Sequence, residues 1–214
     1  MRGSLPVVPI SAAGAAATLA LALPAAAAQA PTIQANPATV GTFTQVSLVG
    51  TTGTGRAGQT VYVQAKECYV RAYRVVSATQ SVAGGSWAAT TPAEITTAYR
   101  ARVGGSLSRP TVVRKRAALT LSKLPNTRIF QVRAFGGATL VGRTVRVERL
   151  TDSGWMLVQR ARLRRSDISG VSVPFGVAET TVRIKRHGLR LRAYITRLEA
   201  RPCFVAGASA VITS

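Results

Sequence analysis

Apolar and polar positions alternate along most of this chain. Between residues 60 and 67, "TVYVQAKE", Val61, Val63 and Ala65 alternate with Tyr62, Gln64 and Lys66, the two-residue period of a strand with one dry and one wet face. The same period predicts strands near 32–39, 44–50, 60–69, 73–80, 85–91, 96–103 and 109–115. It continues near 117–122, 128–135, 143–150, 154–163, 170–175, 180–186, 189–196 and 208–213. Glycine-bearing turns separate these runs, and no window of helical length carries a 3.6-residue apolar stripe with caps. The fold class is therefore all-β, read as two tandem Ig-like β-sandwich domains over residues 29–116 and 117–214. The stretch "SRPTVVRKRAALTLSKLP" passes from one domain to the next without a flexible linker, so the junction is expected to be stiff.

The segment "GTGRAGQTVYVQ", Gly53 to Gln64, holds a G-x-G-x-x-G spacing. A phosphate-binding loop of that kind needs a strand before the glycines and a helix after them, because the helix N-terminus supplies the free N–H groups. Here a strand follows, and Gln59 stands where a P-loop has its Lys. A second copy gives the glycines another role. Residues 46–64 lie over 130–148 without a gap, with Gly53 on Gly137, Gly58 on Gly142, Thr60 on Thr144, Val61 on Val145 and Val63 on Val147. An internal repeat in which glycines punctuate turns accounts for the match.

Trp87, Trp155, Phe130 and Phe175 fall on strand positions expected to face inward as core anchors. Tyr99, near the start of a late strand, is placed to pin a neighbouring loop through its hydroxyl.

The first 28 residues read as a signal peptide: a basic start at Arg2, an alanine-rich apolar core and small residues before a cut after Ala28. An uncleaved membrane anchor is the other reading of that stretch. Beyond it no apolar run approaches membrane length, so no integral membrane segment is expected in the mature chain. Export implies oxidising conditions, and the chain has two cysteines, Cys68 and Cys203, one in each expected domain. An interdomain disulfide that fixes the angle between domains is expected; two free thiols or an intermolecular bridge are the alternatives.

Charge then narrows the partners. Residues 29–116 carry 10 basic and 2 acidic side chains, and residues 117–214 carry 17 and 5, almost all the cations being arginine. In the second half the cations sit at period two: Arg160, Arg162 and Arg164; Arg183 and Lys185; Arg190 and Arg192. Each set is expected to share one side of a sheet. Such a surface suits anionic envelope polymers, acidic glycans, anionic lipid or extracellular DNA, since multivalent cations release condensed counterions. The other reading is a solvated arginine face that confers solubility alone. Aromatic residues do not interleave with these arginines along the sequence, and no signature of sequence-specific nucleic-acid reading is present. The sequence leaves the oligomeric state open.

Catalytic, metal and cofactor sites are not expected. The single histidine, His187, precedes Gly188 in a turn, and the triad and zinc patterns lack their other members. Around Ser172, Pro174 replaces the closing glycine of a nucleophile elbow. The seven carboxylates, Glu67, Glu94, Glu148, Asp152, Asp167, Glu179 and Glu199, show no pair in sequence, although folding can unite distant ones.

The run "GSWAATTPAEITTAYRARVGGSLSRPTVVRKRAALTL", with its Trp strand followed by "TTAYRAR", resembles secreted tandem Ig-like or fibronectin III-like proteins of actinobacteria, and "LEARPCFVAG" is similar to a closing motif of the same proteins. The resemblance implies an adhesive protein and supplies no catalytic residue; with the basic surface, the expected role is that of a non-enzymatic exported protein associated with the cell envelope or matrix by charge. The segment "VSLVGTTGTGRAGQTVYVQAKEC" faintly resembles the start of neocarzinostatin-type chromophore-binding apoproteins, which implies a small-ligand carrier as the alternative. It departs from them in cysteine pattern, because those proteins close disulfides within one domain.

Overall fold

A computed structural model of the chain describes residues 29–41, 44–136, 139–165 and 176–214. The expected leader at 1–28, the strand expected at 170–175, Gly137, Asp167, Ser172 and Phe175 lie outside the described residues. Strands are numbered along the chain. In the first half, β1 (Gln34–Asn36), β3 (Gln45–Thr51) and β6 (Ser86–Pro92) form an antiparallel sheet in the order β1-β3-β6. The second sheet runs β2 (Thr39–Val40), β9 (Thr111–Lys115), β7 (Thr97–Val103), β4 (Thr60–Glu67) and β5 (Arg74–Gln80), with β8 (Ser106–Leu107) on β7. In the second half, β10 (Ala118–Lys123), β11 (Ile129–Phe135), β15 (Val177–Arg183) and β14 (Arg164–Arg165) make one sheet. The other is β13 (Gly154–Arg162), β12 (Thr144–Thr151), β16 (Arg190–Ile195) and β17 (Gly207–Ala208), with β18 (Ile212–Thr213) also on β16. Among the described residues a 3-10 turn at Ala83–Gly85 and one α-helical turn, α1 (Arg197–Ala200), interrupt the β structure; α1 is started by Thr196, whose Oγ1 accepts from Glu199 N at 3.3 Å. No helix among the described residues is long and apolar enough to cross a membrane.

The alternation read from sequence is what buries each core. Val46 and Leu48 of β3 and Trp87 of β6 meet Val61 and Val63 of β4, Tyr99 and Ala101 of β7 and Val113 of β9 in one apolar cluster between the two N-terminal sheets. A second cluster holds Phe130 and Val132 of β11, Val145 and Val147 of β12, Val182 of β15 and Leu191, Ala193 and Ile195 of β16. Each large side chain so buried is worth about 1.5–3 kcal/mol. The result is an all-β chain of packed sheets, antiparallel except where β2 runs parallel to β9. Tyr99 is buried, and its hydroxyl donates to the Pro92 carbonyl at 3.3 Å. Burial raises its pKa above the ordinary phenol value.

The two halves meet tightly. β9 runs into β10 through Arg116, which bridges Val205 in parallel; Val205 N donates to Lys115 O at 2.8 Å and Ala117 N to Val205 O at 3.1 Å. Gly207 is required here for space, since a Cβ on it would stand 1.9 Å from the Ala117 carbonyl oxygen. Ile95, in the connection between β6 and β7, leaves the N-terminal core and is 1% exposed within the C-terminal one. Beside it Cys68 N donates to Thr96 O at 3.0 Å and Thr96 N to Cys203 O at 3.1 Å, and the Cys68 and Cys203 sulfurs are bonded, with their Cα atoms 5.4 Å apart. One covalent link, several backbone bonds and an inserted apolar side chain therefore hold the same junction.

The repeat is visible in the pairing. β3 begins at Gln45 and β11 at Ile129, β4 at Thr60 and β12 at Thr144, each 84 residues apart. Both second strands face a bulged partner at the same place: the β4–β5 register shifts between Val63 and Gln64, leaving Val76 of β5 as the extra residue, and the β12–β13 register between Val147 and Glu148, leaving Val158 of β13.

Candidate polyanion-binding surface

The glycine-rich stretch is a turn, as its following strand requires. Gly53, Gly55 and Gly58 have φ of 78°, 70° and 73° in the connection from β3 to β4. The N–H groups that a phosphate would need are already engaged: Gly58 N donates to Ser81 O at 2.8 Å and Gln59 N to Ser81 Oγ at 3.0 Å. His187 is exposed beside Gly188, whose φ of 71° closes the turn from β15 to β16.

Folding places the expected cations on two faces. Arg160 and Arg162 of β13 and Arg190 and Arg192 of β16 lie on one C-terminal sheet, where Arg160 is paired with Arg146 and Arg192 with Glu148. Arg164 does not stay with Arg160 and Arg162. The chain turns inward at buried Leu163 and changes sheet, so Arg164 of β14 pairs with Glu179 of β15 in the opposite sheet. Period two held only until the strand switched partners. Arg183 ends β15 and Lys185 follows it; both are exposed, and with Arg149 and Arg186 they line a recess of about 360 Å³ whose apolar side includes Leu157 and Ile184.

Trp155 is a second correction. The expected core anchor instead lies on the outward face, where the Arg192 guanidinium stacks 4.0 Å from its ring centroid. The bulge explains the reversal, because Glu148 faces Leu157 while Val147 faces Gln159. That one extra residue inverts the alternation in the first part of β13. Trp87, 3% exposed, and Phe130, 1% exposed, are core residues as expected.

The same outward faces hold what the linear reading missed. Aromatic rings do interleave with cations, but across strands. On the N-terminal sheet Arg102 lies 4.7 Å from the Tyr62 ring centroid and Arg100 3.9 Å from that of Tyr73, with Lys66 Nζ on Tyr73 at 5.2 Å. Arg100 Nε donates to Gln64 Oε1 at 2.8 Å. On the C-terminal sheet Arg192 donates through Nε and Nη2 to Glu148 Oε2 at 3.0 and 2.8 Å and lies 5.2 Å from the Tyr194 ring centroid. Stacking of this kind holds a guanidinium in place without neutralising it. The signal available in sequence was the outward half of the alternation on β4 and β7, whose Tyr62, Gln64, Arg100 and Arg102 occupy facing positions.

The carboxylates are largely engaged. Glu67 pairs with Arg74, Glu179 with Arg133 and Glu148 with Arg192, while Glu199 Oε2 accepts from Thr144 N at 3.0 Å. Two that are distant in sequence, Glu67 and Glu94, line one cleft of about 390 Å³ together with Tyr99. No group of three or more His, Cys, Asp or Glu side chains able to hold a metal occurs among the described residues. A larger cleft, about 650 Å³, lies along Val49, Val82, Trp87 and Ala88, and the buried Trp87 Nε1 has no hydrogen-bond partner in the protein.

The chain matches no family model and no curated protein sequence. Among solved structures it is similar to a biofilm associated protein, BSP domain, at 15% identity and a TM-score of 0.28, over 85% of this chain and 29% of that one. The chain thus spans less than a third of that structure's length, and the β-sandwich assignment rests on the strand pairing above.

Proposed function

We propose that this is an exported, non-enzymatic β-sandwich protein that associates with the cell envelope or matrix by binding anionic polymers through its basic surface. The observation that carries the reading is the surplus of unneutralised cations. Among the described residues three arginines, Arg74, Arg133 and Arg192, pair with carboxylates, and the remaining cations have none within salt-bridge distance. Solubility alone does not call for guanidiniums stacked in fixed positions on rings, as Arg100 and Arg102 are. Catalysis is not part of the reading: of the two carboxylates sharing a cleft, Glu67 is held by Arg74. A pull-down of purified envelope polymers, acidic polysaccharide and nucleic acid across a salt series tests it. Retention on acidic polymers that weakens steadily with salt supports the reading, and no retention on any polyanion at low salt refutes it.

A second reading, a small-ligand carrier, is favoured by the cleft of about 650 Å³ and by the unpartnered Trp87 indole N–H beside it. Saturable quenching of Trp87 fluorescence by an apolar acceptor-bearing ligand, read in a Trp155→Phe background, would support the carrier.

A further inference from the structure

The outward faces of the two large sheets carry the same constellation. In the N-terminal sandwich Gln64 of β4 faces Arg100 of β7 and accepts its Nε, and Arg100 stacks on Tyr73. In the C-terminal sandwich Glu148 of β12 faces Arg192 of β16 and accepts its Nε, and Arg192 stacks on Trp155. Gln64 and Glu148 are 84 residues apart, each immediately after its bulge; Trp155 lies on the bulged partner strand β13, and Tyr73 immediately precedes the bulged partner strand β5. The next facing pair is also shared with its members exchanged: Tyr62 opposite Arg102 in the first copy, Arg146 opposite Tyr194 in the second. Bulges recur beside binding sites because they re-aim side chains.

The copies differ in charge. Glu148 cancels the charge of Arg192; Gln64 accepts a single bond from Arg100 at 2.8 Å and leaves its charge intact. Residues 29–116 contain two acids, Glu67 and Glu94, and both line the cleft beside Tyr99, away from the outward face. That face therefore presents Lys66, Arg100 and Arg102 with no carboxylate among them, beside exposed Val75, Leu107 and Val112.

We propose that the outward face of β4, β5 and β7 is a binding site for an acidic polysaccharide, with Gln64 as the residue that keeps it cationic, and that Glu148 silences the duplicate site in the C-terminal sandwich. The proposal rests on the polyanion-binding reading above and locates it away from the more arginine-rich half. Guanidinium edges meet sugar carboxylates, the Gln64 amide and the tyrosine hydroxyls meet sugar hydroxyls, and the aliphatic side chains meet sugar C–H faces. Both tyrosine rings already have a guanidinium on one face, so the site is built around cation edges rather than around rings bared for nucleobases.

The test is binding of full-length wild type, Q64E and E148Q to polygalacturonate, with a neutral glucan and poly(dT) as comparison probes. Q64E is expected to weaken polygalacturonate binding about tenfold, because a carboxylate on Arg100 removes one of three cations. E148Q is expected to strengthen it several-fold by exposing a second site, a gain that unfolding cannot produce. The double variant should bind about as wild type does, through the other sandwich. Wild-type binding that neither substitution changes would overturn this inference while leaving the broader reading standing. Failure of wild type to bind any polyanion would overturn the broader reading itself. A preference for poly(dT) with the same Q64E loss would replace the polysaccharide by single-stranded nucleic acid.

Discussion

Replacing both junction cysteines, Cys68→Ala with Cys203→Ala, separates what the disulfide contributes from what surrounds it. The bond closes a sequence separation of 135 residues. The chain-entropy relation for a loop of that length gives about 5 kcal/mol, and measured losses for native disulfides commonly fall near 2–4 kcal/mol. For a chain of this size each kcal/mol is worth about 2–4 °C in Tm, so a fall of at least several degrees is expected. The orientation of the two halves should nevertheless persist. Ile95 stays buried in the C-terminal core, a contribution of about 1.5–3 kcal/mol, and the backbone bonds at Thr96, Ala117 and Val205 add about 1 kcal/mol each. Calorimetric melting together with small-angle scattering of oxidised wild type and the double variant reads both quantities. A lower Tm with an unchanged scattering profile is the expected outcome. An unchanged Tm would refute the entropic argument, and an expanded profile in the folded variant would show that the disulfide alone sets the junction.

Three further outcomes follow from particular side chains. Trp87→Ala should cost about 3–5 kcal/mol, since it empties a core position, whereas Trp155→Ala on the outward face should cost about 1 kcal/mol; equal losses in urea denaturation would contradict the assignment of faces. Burial holds the Lys115 ammonium below its ordinary pKa, with Glu94 opposing, so its stability contribution is complete above about pH 10.4 and is lost as pH falls through the depressed folded value. Lys115→Met should therefore raise Tm at pH 7, with the gap closing toward about pH 10.4; a lower Tm at pH 7 would mean that Glu94 outweighs burial. Titration calorimetry should detect no ATP or GTP binding at Gly53–Thr60, where the Gly58 and Gln59 N–H groups are spent on Ser81, and saturable binding lost in Gly58→Val would overturn the turn assignment.

The strands were legible because each core is built on strict alternation, and the repeat because glycine turns and valine strands match without a gap over 46–64 and 130–148. What escaped the sequence was local change of parity and of partner. The β12–β13 bulge at Val147 and Glu148 sends Trp155 outward, and the sheet change at Leu163 parts Arg164 from Arg160 and Arg162. Neither is written in the spacing, because a bulge or a strand switch is decided by the neighbouring strand. The cation stacks were hidden for the same reason. Arg100 and Tyr73 are 27 residues apart in the chain and meet only through the strand pairing of β4 with both β5 and β7. The helical turn α1 lies in the connection from β16 to β17 that also carries Cys203, and its four residues are too few for a helical period to show.

A positive surface can bind polyanions or merely confer solubility, and salt dependence separates the two. The most direct test is the affinity of the folded protein for a linear acidic polysaccharide, measured by titration calorimetry from low to physiological salt and beyond. Log K should fall linearly with log salt, a neutral polymer of the same length should give no heat of binding, and Arg100→Ala together with Arg102→Ala should flatten the slope. Absence of binding at low salt, or an affinity indifferent both to salt and to the charge of the polymer, would contradict polyanion binding by this surface.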